Sequence, residues 1–172
     1  MQTDTFLDEI EHTTQLDGAA DFLLDRVGKT LANGPYGDLL KGKWLGHPLH
    51  PMLTDIPIGF WTSGMTLDFL SPSKGRKAAT RLIGLGTISA IPAALAGLTD
   101  ASAIEDPAER RVAAAHALAN ITATTMFALS WRARHKDHHL RGVMWSLLGT
   151  GVATGAGLLG GNLAFGRTKA AS

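Results

Sequence analysis

The chain alternates between long apolar runs and short charged connections. From Ile56 to Leu67 it reads IPIGFWTSGMTL without a charge, and Trp44 to Thr54 extends that run outward, interrupted only by Asp55. Leu82 to Leu98 holds no ionisable residue, Val112 to Trp131 holds only His116, and Gly142 to Gly166 again holds none. A helix needs about 20 mainly apolar residues to cross roughly 30 Å of hydrocarbon. The last two runs meet that length outright; the first two do so if Asp55 or Arg81 lies at an interface. No run alternates with period two, so strands fit poorly. A soluble bundle would keep a charged stripe toward water, and the last two runs have none on any face. The pattern predicts an all-α fold: an integral membrane four-helix bundle with spans over about residues 50–70, 80–99, 112–131 and 143–165.

Residues 1–43 follow a different rule, with eight acidic and four basic side chains. Leu16, Ala20, Leu23, Val27 and Leu31 recur at helical spacing, which predicts an amphipathic helix with an acidic outer face, stopped by Asn33-Gly34-Pro35. It is too polar to span and is expected to pack on the bundle, since surface insertion favours Lys and Arg where Asp dominates here. The domain reading is therefore an extension over 1–43 and a transmembrane domain over 44–172.

Composition narrows the function classes. At 18% charged residues the chain is short of the groups that cover a wet surface, where roughly 25% is usual. A net charge of +1 with no basic stripe excludes nucleic acid as a partner. Cysteine is absent, which excludes disulfides, thiolate metal sites, cysteine-held iron–sulfur clusters and covalent c-type haem. The first residues lack a basic and then apolar leader, so no cleaved signal peptide is expected. Lys74, Arg76, Lys77 and Arg81 mark the first connection and Arg132, Arg134, Lys136 and Arg141 the third, whereas Asp100 to Arg111 is mainly acidic. Lys and Arg collect on the cytoplasmic side, so the first and third connections are expected in the cytoplasm and both termini outside. Gly151 and Gly155, Gly157 and Gly161, and Ala93 and Gly97 are spaced four apart, as in helices that pack closely in lipid.

This topology sorts the polar residues. His47, His50 and Asp55 fall at the outer entry of the first span, Asp100 at the end of the second, His116 and Asn120 inside the third, and Asn162 near the end of the fourth. Ionisable groups at membrane depth face the interior or a cavity, so these should converge. In GHPLHPMLTDIPIG each histidine precedes a proline, which disfavours helix at His47 and His50 and favours a polyproline edge. Such a pair needs His116, Asp55 or a cofactor to complete a site; the plain alternative is interface anchoring. Asp55 reads equally as the N-cap of a helix starting at Ile56. His116 is either a ligand or a histidine satisfied by Asn162 or a carbonyl. His135, His138 and His139 are spaced as a helical turn would need to hold a metal, but lie among Arg134, Lys136 and Arg141, whose repulsion of a cation favours reading them as a solvated loop. The inner halves of the spans offer no polar continuation, which disfavours a transport path. No nucleophile–base–acid set or phosphate-cradling loop is present.

The run GHPLHPMLTDIPIGFW, followed by Asp68, GLTDASAI, AAAHALAN and LLGGNLAFG, resembles the family of small bacterial membrane proteins called domain of unknown function 2231. The resemblance covers about residues 44–166 and implies four spans; some members look fused to Rieske-type domains, which points toward redox partners. It directs attention to His47, His50, Asp55 and His116 without assigning roles. Where related sequences look like GGH near the end of the last helix, this chain has Gly160-Gly161-Asn162. Two function classes follow. One is a membrane protein binding a haem b or a metal ion near the outer surface through His50, His116 and His47, for electron transfer. The other is a non-catalytic subunit docking a membrane protein partner or small ligand, with the acidic extension in the contact.

Overall fold

The computed structural model describes residues 2–165, and every regular element among them is helical. The closing segment of the predicted transmembrane domain, after Phe165, lies outside the described residues. The extension opens with α1 (Gln2–Glu11). A short 3-10 turn, Thr14–Leu16, leads into α2 (Asp17–Ala20), which continues through a π-helical stretch, Asp21–Gly28, into α3 (Lys29–Asn33). Gly34 ends it with extended backbone, in the turn-forming segment expected from sequence. A single turn, α4 (Gly37–Leu40), then leads to the long helices.

Those are α5 (Leu49–Leu70), α6 (Arg76–Ala101), α7 (Pro107–His135) and α8 (His139–Phe165). Helices α6, α7 and α8 are long and apolar enough to cross a bilayer. At 22 residues α5 is about 33 Å long, and it carries His50, Asp55 and Asp68. Asp106 caps α7, its carboxylate accepting from the Glu109 N–H at 2.9 Å, with Pro107 in the first turn where its missing donor is harmless.

Helices α5 and α6 form one antiparallel hairpin and α7 and α8 another; α6 also packs on α7, and α5 on α8. The four stand at the corners of a square, with α5 and α7 across one diagonal. The interior is inverted relative to a soluble protein. Ala79, Gly84, Gly86, Ala93, Ala96, Ala123, Gly149 and Ala156 are buried, while Ile88, Ile91, Ile121, Leu147, Leu148 and Leu158 are exposed. Small side chains let backbones approach, and large apolar side chains turned outward along three long apolar helices suit lipid as the solvent. At the centre Trp61 and Phe127 stack at 4.0 Å across the diagonal, with Ile83 packed beside them.

Candidate functional site

One end of the square gathers histidines. Helix α5 begins earlier than the prolines suggest. Pro48 takes the polyproline-like conformation, and the helix starts at Leu49, which makes His50 helical. Pro51 is then the third residue of the first turn, where no intrahelical acceptor awaits its N–H. The expected extended edge therefore does not form, and His47 lies exposed in the turn before the helix while His50 points inward. Asp55 is not a cap either. It sits in the second turn of α5, exposed, because the helix entered one turn and a half before it.

The His50 Nδ1 lies 2.8 Å from the Ala93 carbonyl of α6, over Gly97, where an added Cβ would come within 2.7 Å of the ring. His116 repeats this arrangement on α7 and α8. Its Nδ1 lies 2.8 Å from the Ala156 carbonyl, over Gly160, where a Cβ would again meet the ring at 2.7 Å. A carbonyl only accepts, so each imidazole donates through Nδ1–H, and each Nε2 is left with its lone pair. The two rings meet edge to face with centroids 6.3 Å apart. Asn120, one turn along α7, places its amide 3.1 Å from the His116 Nε2. Of the other polar residues predicted to converge, Asp100 in the last turn of α6 and Asn162 in α8 are half-buried and bond to neither ring.

Locking Nδ1–H on a carbonyl to present Nε2 is the arrangement that metal-ligating histidines use. Among the described residues no group of three or more His, Asp or Glu could hold a metal ion. The two Nδ1-locked imidazoles are the nitrogen donors that this end of the bundle offers.

The opposite end holds a network that corrects the expectation of apolar inner halves. Asp68 and Arg134 are buried and paired through two bonds, 2.9 Å from Nη1 to Oδ1 and 2.7 Å from Nη2 to Oδ2. The Arg134 Nε donates to Ser130, whose hydroxyl lies 2.8 Å from that of Ser146. His139 adds a contact to Asp68 at 3.1 Å. Arg134 and His139 were expected in a solvated loop with His135 and His138; only the latter two are exposed. Helix α7 runs to His135, which turns Arg134 into the core, and α8 starts at His139. A further set joins the extension to α7. Arg110 binds Asp25 and Asp21, and Arg111 binds Asp17 and the Glu11 carbonyl.

A family described as predicted membrane protein (DUF2231) matches residues 46–170. The chain belongs to that family. No curated protein and no solved structure matches it. The matched region takes in all four long helices, both histidines and the Asp68–Arg134 pair, and leaves out the extension.

Proposed function

We propose that this DUF2231 chain is a four-pass protein of the bacterial inner membrane that holds one haem-type redox centre at its outer end. His50 and His116 would hold it through Nε2, with a ligand on His116 taking the place of the Asn120 amide. Such a group supplies one-electron transfer at a potential set by its axial ligands and surroundings. The chain's own residues fix the two imidazoles in one tautomer and hold them between the hairpins, over Gly97 and Gly160. The observation that carries this reading is the paired locking of both Nδ1 atoms onto backbone carbonyls, 2.8 Å in each case. The four passes and outward termini rest on the Lys and Arg of the two hairpin connections, which lie at the opposite end from the histidines. His47 and Asp55 are too exposed to share the site.

The test is an absorption spectrum, oxidised and reduced, with metal analysis, on protein purified from its own membranes in native lipid. A stoichiometric haem spectrum lost in His50→Ala and in His116→Ala is expected. A colourless, metal-free sample rejects the reading.

A further inference from the structure

We infer that the long helices are two copies of one hairpin docked about a two-fold axis, and that the α5 and α7 faces are a single interaction surface used twice. The correspondence is visible residue by residue. Asp68 and Arg134 are 66 positions apart. The same shift carries Pro57 to Ala123, Trp61 to Phe127 and Gly64 to Ser130, so every buried residue of α5 has a buried counterpart in α7. It also carries His50 to His116. A second constant shift carries Ala79, Ile83, Gly86, Ala93 and Ala96 to Gly142, Ser146, Gly149, Ala156 and Leu159, which are all the buried residues of α8. The shifts differ by three because the α7–α8 connection is two residues shorter than that between α5 and α6 and α7 ends, in this register, one residue earlier than α5 does.

Contacts obey the same rule. His50 bonds to Ala93 over Gly97, and His116 bonds to the matching Ala156 over the matching Gly160. Trp61 lies on Gly86, and Phe127 lies on the matching Gly149. Most telling are the contacts between hairpins. His50 meets His116, Trp61 stacks on Phe127, and Asp68 pairs with Arg134. Each residue touches its own equivalent, as residues beside a two-fold axis do; the symmetry is approximate away from that axis, since α6 packs on α7 much more extensively than α5 does on α8. Because both hairpins run the same way, the axis lies along the bundle, the arrangement of parallel repeats in membrane proteins.

The copies have diverged where identity would fail. Two aspartates or two arginines on the axis would repel, and complementary charges need two different chains or one duplicated chain. The layer around the pair has followed. Gly64, Ala79 and Ile83 make an apolar pocket in the first hairpin, and the matching Ser130, Gly142 and Ser146 bond to one another and to Arg134 in the second. Arg76 of α6 stands where α8 has His139, the neighbour of Asp68.

Exchange within the full-length chain tests equivalence directly, and needs no cofactor. One variant exchanges the charged layer: Asp68→Arg, Arg134→Asp, Gly64→Ser, Ser130→Gly, Ile83→Ser and Ser146→Ile together. A second exchanges the aromatic layer, Trp61→Phe with Phe127→Trp. Controls are Asp68→Arg alone and Trp61→Ala alone. Each exchange is expected to melt within about 5 °C of the parent in detergent, well above its control. An exchange that melts with its control overturns the inference. The haem reading stands or falls separately on the spectrum of the parent protein.

Discussion

At the scale of single residues, two glycines decide where the imidazoles sit. Gly97 and Gly160 leave room that a Cβ would fill to within 2.7 Å of the His50 and His116 rings. Gly160→Leu should push the His116 ring off the Ala156 carbonyl and lower haem occupancy several-fold, read by the absorbance of purified protein. Gly155→Ala is the control. Its Cβ meets nothing within 4 Å, so occupancy should hold and stability should rise by up to about 1 kcal/mol. His50 and His116 were legible in the sequence because ionisable residues stand out in apolar surroundings. Their carbonyl partners were not, since a backbone acceptor leaves no trace in residue type. His47 and Asp55 were misplaced for one reason. Proline before and after His50 reads as a helix stop, yet within a first turn proline removes a donor that had no acceptor.

At the scale of elements, the extension is tied down by carboxylates gripping the start of α7. The hydrogen bond from Arg111 holds the Asp17 carboxyl below its ordinary range, and those from Lys29 and then Arg110 do the same for Asp25. A carboxyl depressed in the folded state stabilises the docked form above its unfolded pKa and ceases to do so as pH falls through its folded value. Docking should therefore be intact at neutral pH and weaken only below about pH 4, where free aspartate takes up protons. Hydrogen exchange of residues 17–33 should rise in that window, and Arg111→Ala should raise it already at neutral pH. Apolar spacing predicted this amphipathic segment and its stop near Gly34. It missed the use of the acidic residues, because Arg110 and Arg111 read as connection residues until α7 is seen to begin at Pro107.

At the scale of the whole molecule, the Asp68–Arg134 pair joins the two hairpins where both side chains are almost fully out of solvent, at 3% and 0% exposure. Removing one member strands the other, which costs about 3–5 kcal/mol, whereas replacing both by apolar residues is often neutral. Arg134→Ala should lower the unfolding free energy by that amount in a detergent-denaturation series. Asp68→Leu with Arg134→Met should recover most of it. The all-helical class was legible from four uncharged runs, and α6, α7 and α8 justify it by length and apolarity. The central axis was hidden because a charge near the end of an apolar run looks like an interface residue. Its signature was present all the same: Asp68 follows His50 at the interval by which Arg134 follows His116.

That interval also constrains biogenesis. Asp68 leaves the ribosome long before Arg134 does, so the first hairpin reaches the insertion machinery with a carboxylate that lacks its partner. A lone carboxylate in a span opposes insertion, by up to about 2.5–3.5 kcal/mol at the bilayer centre and by less near the end of a helix, where Asp68 sits. Nascent chains stopped before residue 134 should therefore resist release into lipid, and become integrated only as the later hairpin arrives to neutralise them.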